Sequence, residues 1–559
     1  MNTKQPLSRL LPALACGAAL CSTARSQTTL YTIPGDKTND RLGVAARSAG
    51  DTNNDGRPDF IAGAPEDNNF FFTGEGLAKL YSGATGLTLR TFNGVTNGDG
   101  FGYAVTGLGD LNNDNFADVA VGAPFVINAG SVRGSVTVFS GQTGGVLGTI
   151  FGPAANDQIG SAIAAAGDVN NDNIPDLIVG APFSPNGGNQ RGKAVVYSGL
   201  TGGVIWTING TSDGERRGID VDGIGDINGD SFDDFVVGSY VGAKVFSGFN
   251  GLQLFEVAGP ADDKLGVAVA GAGDVNGDSV PDVIVGAPQD LNVFVPGAGY
   301  ARVVSGLGGA LIINLPGGGV GDRFGCAVGA AGDVNSDSRA DVLVAGDQAT
   351  GVGNGYVRLY SGLNGQIIHT VAGQSFDDRF GTAVDGLGDV NNDGKSDFIV
   401  SAPSRDLPEI ANGEVTVFSV GANCPLPVNY CSATPNSLGV PGKMGFGGTT
   451  SIASNNLVVT VSQIPPNAFN IYIMSLSSAN IPMANGFRCV GDPFFRLGQQ
   501  NATPQGTGSM PVNLLGFGPP VSLQITPGSH LYFSNYYRNA AAGGANANLA
   551  DGLDVTLCP

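Results

Sequence analysis

The chain has 559 residues, too many for one ordinary hydrophobic core, so two domains or a repeat array are expected. Its 48 acidic and 27 basic residues give a formal net charge of -21, with no basic stripe, which argues against nucleic acid as a partner. Only 13% of residues are charged, Gly numbers 90, and no long amphipathic helical pattern follows residue 30, which together read as an all-β composition.

The first element is an export signal over residues 1–26. Lys4 and Arg9 form a basic start, Leu10 to Cys21 a short apolar stretch, and Ala24-Arg25-Ser26 a small-x-small cleavage site. The stretch is too short to span a bilayer. Cys16 and Cys21 leave with it, and the residues before each fit a lipid-anchor signal poorly. No second apolar run of membrane length follows, so the mature chain is expected to be secreted or held at the cell surface, where calcium is plentiful.

One loop, Asp-x-Asn-x-Asp-x-x-x-Asp, then recurs seven times. Its copies are Asp51, Asn53, Asp55, Asp59; Asp110, Asn112, Asp114, Asp118; Asp168, Asn170, Asp172, Asp176; and Asp226, Asn228, Asp230, Asp234. They continue as Asp274, Asn276, Asp278, Asp282; Asp333, Asn335, Asp337, Asp341; and Asp389, Asn391, Asp393, Asp397. Unneutralised, three carboxylates this close would repel one another. Hard oxygens at alternating positions suit Ca²⁺, which takes about six to eight oxygen ligands in a flexible shell. Up to seven structural calcium ions are therefore expected. Asn at the third position lowers the ligand charge and implies modest affinity.

The loop spacings of 59, 58, 58, 48, 59 and 56 residues mark stacked supersecondary units. Each unit opens with Phe-Gly or an equivalent, as in Phe101-Gly102, and a small-residue strand leads to the Asp loop. The last Asp opens an apolar run such as Asp176-Leu177-Ile178-Val179-Gly180-Ala181-Pro182, which reads as a strand buried on both faces. A variable loop, a strand ending in Ser-Gly and a closing strand complete the unit. Four strands repeated seven times make a seven-bladed β-propeller. The closing strand is missing after the seventh unit, and a matching copy, Leu30-Tyr31-Thr32-Ile33-Pro34-Gly35, stands before the first. The N-terminal strand is therefore expected to complete the last blade and remove the open edge.

These units resemble the FG-GAP repeats of the integrin α-subunit β-propeller over about residues 28–423. The Phe-Gly pairs carry the likeness, with Gly63-Ala64-Pro65, Gly122-Ala123-Pro124, Gly180-Ala181-Pro182 and Gly286-Ala287-Pro288. The resemblance implies that loop positions one, three, five and nine supply side-chain calcium ligands and position seven a backbone carbonyl. Departures are visible. All seven loops look competent, blade one has Leu42-Gly43, blade four reads Gly238-Ser239-Tyr240 and blade six Ala345-Gly346-Asp347. No inserted von Willebrand-like domain or integrin leg domain is legible, so a β-subunit partner is not implied.

Residues 424–559 lack the Asp loop. Asn456 to Val461, Asn470 to Met474 and Val521 to Ile525 alternate as strands between Gly-, Pro- and Asn-rich turns, the pattern of a small β-sandwich. Cys424, Cys431, Cys489 and Cys558 are candidates for two disulfides, with three connectivities open. Cys326, inside a repeat, reads as a small buried residue.

Two His, no nucleophile-elbow pattern and no unique acid cluster argue against an enzyme. The function expected is extracellular adhesion or ligand binding, with a protein or glycan as partner. The alternatives are a structural envelope component and a carbohydrate- or lipid-active hydrolase. Binding is expected in the loops after Gly-Ala-Pro, with Phe70, Phe71 and Phe72 as a weak candidate site. The sequence leaves the oligomeric state open.

Overall fold

Each Asp loop ties an inner strand to its neighbour as a hairpin, and three such hairpin steps make a blade. The computed structural model describes residues 27–66, 74–260, 262–289, 297–348, 353–406 and 411–420, and beyond these chiefly strands of the C-terminal region. Blade one is Ala45–Gly50, Asp59–Ala64, Leu77–Tyr81 and Thr88–Asn93, antiparallel throughout. Seven four-stranded sheets follow this plan. The second strand of every blade is buried at all six positions, as its unbroken apolar run requires.

The ring is closed. Gln27–Pro34 pairs antiparallel with Glu414–Val420, with Tyr31 opposite Val417 and Ile33 opposite Val415, and so becomes the outer strand of blade seven. The inner strands contact one another in cyclic order, including the last, Val384–Gly388, against the first, Ala45–Gly50.

The core lies between blades. Seven buried clusters each join two neighbours. One joins Leu42, Phe60 and Tyr81 of blade one to Ile399, Val415 and Val417 of blade seven. Phe60 and Tyr81 stack with centroids 5.2 Å apart. Burying a side chain such as Phe60 contributes about 1.5–3 kcal/mol. No blade could bury its faces alone, which ties the repeat to the closed ring.

The two glycine motifs mark where neighbouring blades touch most closely. A Cβ on Gly63, in the Gly-Ala-Pro of blade one, would lie 1.9 Å from the Gly102 carbonyl oxygen of blade two. Gly102 has φ +91°, and a Cβ there would meet the Leu77 carbonyl oxygen at 2.2 Å. Only glycine fits both.

The C-terminal region is also β. Val428–Cys431, Gly552–Thr556, His530–Arg538, Phe469–Ser475 and Phe494–Asn501 form one sheet, and Lys443–Gly447, Val458–Ser462 and Gly508–Pro511 another. Residues 521–525 lie outside the described residues. Among the described residues there is no helix, and none long and apolar enough to cross a membrane.

Candidate functional site

The seven loops share one geometry. The first Asp accepts from the backbone N–H of positions five and six: Asp51 from Asp55 at 3.1 Å and Gly56 at 2.8 Å, Asp389 from Asp393 at 3.0 Å and Gly394 at 2.7 Å. The fifth accepts from position seven, as Asp55 does from Arg57 at 3.0 Å. Positive φ at Asn54 and Gly56 turns these amides inward, and the same twist recurs at Asn171 and Asn173.

The ninth Asp behaves differently, being fully buried in every blade. Asp59 Oδ2 accepts from the Thr52 N–H at 2.9 Å, and Oδ1 from the Gly83 N–H at 2.9 Å. Gly83 belongs to the Ser-Gly that ends the third strand, so one carboxylate pins loop to strand. Blades two to six repeat the bond through Gly141, Gly199, Gly248, Gly306 and Gly362. Blade seven has Ser419-Val420 instead, and among the described residues Asp397 Oδ1 has no donor.

Burial first, and repulsion from loop partners second to it, push these carboxyls up. Asp118, Asp176 and Asp234 reach about 6, and Asp341 and Asp397 about 7, although backbone donors, and at Asp397 first the Ser419 hydroxyl, pull the other way. A cation would relieve that repulsion, and Asn53 Nδ2 lies 3.3 Å from Asp59 Oδ1, so the third and ninth side chains already meet. The hard-oxygen donor set and the orphaned Asp397 oxygen fit calcium. Yet among the described residues no three His, Cys, Asp or Glu groups gather into a metal-holding cluster. Backbone amides occupy the places between the carboxylates.

A second ring of acids escaped the sequence reading. At the opposite end of each inner strand, two residues before the Phe-Gly position, stand Asp40, Asp99, Asp157, Glu215, Asp263, Asp322 and Asp378. Asp40 accepts from the N–H of Asp36 and Lys37 at 2.7 and 2.9 Å, Glu215 from Thr211 and Ser212 at 2.7 and 3.0 Å, and Asp378 from Ser375 at 2.9 Å. In five blades these acids hold the entering turn, whereas Asp263 accepts from the Gln289 side-chain amide and the Tyr300 hydroxyl at 2.9 Å each. The signal was present in the sequence as an acid at fixed distance from Phe-Gly.

The bore is the other feature that sequence spacing hid. Every carboxylate cluster legible in the sequence was repeated, but the channel wall is not. Arg47 of blade one pairs with Asp385 of blade seven at 3.6 Å, while Asp220 and Asp222 belong to blade four. Burial opposes the Arg47 charge, and Asp385, Asp220 and Asp222 outweigh it. Asp222 is pushed to about 7 by burial, with Arg47 pulling it down.

Phe70, Phe71 and Phe72 lie outside the described residues, as do Cys424 and Cys558, whereas Cys431 and Cys489 fall on strands. Cys326 is half-buried, with burial raising its thiol pKa, and lines the mouth of the bore. Arg217 takes the Phe position of blade four, buried against Glu215.

A closed ring of seven blades, with Phe-Gly set against the Gly-Ala-Pro of the preceding blade, is an FG-GAP propeller. The FG-GAP repeat model matches residues 101–139, 160–197, 265–304 and 380–418. The chain is 32% identical over 192 residues to integrin alpha-7 of Mus musculus, covering 32% of this chain and 15% of that protein. To integrin alpha pat-2 of Caenorhabditis elegans it is 30% identical over 227 residues, covering 36% and 18%. It spans less than a fifth of the length of these curated relatives. A chain solved as "Crystal structure of BBS1N in complex with ARL6DN, soaked with lead" aligns over 71% of this chain and 98% of its own, with TM-score 0.44 and 10% identity. This chain carries FG-GAP repeats and is integrin α-like.

Proposed function

We propose that this chain is a secreted or cell-surface, calcium-stabilised propeller that acts in adhesion or ligand binding to an extracellular protein or glycan, without catalysis. The observation that carries the reading is the sameness of the seven Asp loops, which marks that end of the ring as scaffold and leaves the Phe-Gly end to vary. The likeness to integrin α-subunits supports the adhesive role. Up to seven calcium ions would sit at the loop positions named above, and two disulfides would staple the C-terminal region.

The test is retention of the full chain on cell envelopes and insoluble polysaccharides, in calcium and in EDTA. Calcium-dependent retention supports the reading. Turnover of a glycan or lipid that disappears on replacing one channel acid would replace it with a hydrolase.

A further inference from the structure

Six of seven blades put alanine on the bore at the level of Ala45, and blade four puts Asp220. Just outside, the residue before each Phe-Gly position has positive φ in every blade. It is basic in five consecutive blades, Arg216, Lys264, Arg323, Arg379 and Arg41, and becomes Gly100 and Gln158 in the other two. The mouth is therefore a basic crescent on an acidic chain.

Arg379, Arg41 and Arg47, from adjacent blades seven and one, line one side of a cavity of about 400 Å³ at this mouth. Asp220 of blade four, three blades away around the ring in either direction, lines it too, its carboxylate accepting from the N–H of Val221 at 3.0 Å and of Val269 at 2.8 Å with lone pairs to spare, and so do Ser161 of blade three and Thr382 of blade seven, whose hydroxyls donate to backbone carbonyls and keep their oxygens as acceptors. Of the acids that precede the crescent in sequence, Asp40 accepts the turn amides of Asp36 and Lys37, and Asp378 accepts the Ser375 amide and the Arg405 guanidinium at 2.5 Å. Asp347 holds Arg323 at 3.1 Å and Arg379 at 3.2 Å, which fixes both guanidinium groups. Among the described residues the buried Nε–H of Arg379 has no acceptor. Arginine presents a planar fork matched to a carboxylate, and the volume is in the range of pockets for small molecules.

We propose that this cavity binds a sugar acid: a carboxylate on the arginine side, and hydroxyls that donate to the Asp220 carboxylate and the Ser161 hydroxyl oxygen across the bore. A neutral sugar lacks the anion, and a plain aliphatic acid lacks the hydroxyl donors that Asp220 accepts. The proposal deepens the binding reading above and names its ligand class.

The test is calorimetric titration of the full chain, in calcium, with D-glucuronate, D-glucose and propionate. Glucuronate is expected to bind more tightly than either control. Arg379→Gln and Arg41→Gln should each weaken it roughly tenfold or more, the loss of a charge-assisted contact. Both variants should fold, since Gln158 holds the same position in blade three at φ 53°. Arg47→Thr, the residue blade two has as Thr106, is a second variant with the same expectation. Equal binding of glucose, no binding of glucuronate at millimolar concentration, or binding unchanged in all three variants overturns the proposal. A polyuronate pull-down that free glucuronate reverses assigns the ligand to a polymer end. Monomer binding without polymer retention assigns it to the free acid. Envelope retention equal in wild type and Arg379→Gln, with no glucuronate binding, overturns the cavity proposal and leaves the adhesion reading standing. Glucuronate binding without retention on any surface does the reverse.

Discussion

The two ends of the propeller follow opposite rules. At the Asp-loop end, seven copies place the first carboxylate on the same backbone amide at 3.0 to 3.1 Å. At the Phe-Gly end only the acid and the glycine persist, while the residue after the acid runs from Arg to Gly and the bore acquires charges in blades one, four and seven. Uniformity marks what every blade needs in order to close. Departure from the repeat marks what one face needs for itself.

Chelation should separate the ends most sharply. Withdrawing calcium from the loops is expected to lower the melting temperature by on the order of 10 °C, since each ion at a hundredfold excess over its Kd contributes about 2.7 kcal/mol. A calorimetric scan with no shift in EDTA would remove calcium from the account of that end.

Within one loop the positions should differ. Asp59→Ala removes the acceptor for Thr52 and Gly83, so a loss of about 2–4 kcal/mol is expected with or without calcium. Asp55→Ala touches a solvent-side carboxylate and should cost about 1–2 kcal/mol in calcium and little in EDTA. Denaturant titrations under both conditions check this, and identical behaviour of the two variants would erase the distinction between pin and ligand.

At the far end, Asp40→Ala should cost about 1–2 kcal/mol irrespective of calcium, because its partners are only turn amides. Calcium dependence of that loss would couple the two rims.

The smallest effect is expected in the bore. Asp222 has its folded pKa raised to about 7, above the usual carboxylate value near 4, so the folded state holds its proton more tightly than the unfolded chain. Its contribution is fully present below about pH 4 and is lost as pH rises through 7. In saturating calcium, Asp222→Asn should flatten a fall in stability between about pH 4 and 7. Asp220 and Asp385 face the same Arg47 and titrate upward too, so only part of the slope should vanish. An unchanged slope would show that the bore does not titrate.

Much of this was legible in the chain. The Asp spacing fixed the blade count, and the misplaced copy at Leu30 disclosed the closure, because both are periodic signals that survive without coordinates. The acids at Asp40 and its siblings were missed because one is Glu and the residues beside them vary, so no fixed string announces them. The group of Arg47, Asp220, Asp222 and Asp385 was invisible for another reason: its members lie far apart in sequence and meet only across the bore. The ninth Asp was read as a ligand alone, and its second duty to the Ser-Gly amide depends on a strand two elements later.

The pairing of Gln27–Pro34 with Glu414–Val420 has a consequence for timing. This early segment, once it leaves the ribosome or crosses a membrane, must wait for nearly the whole array before it finds its partner. Until then both the seventh sheet and the early strand offer unpaired edges, and the entropy of joining such distant segments makes this a late step. Assembly should therefore be limited by a single closing event, with nascent chains most vulnerable to association just before synthesis reaches residue 420.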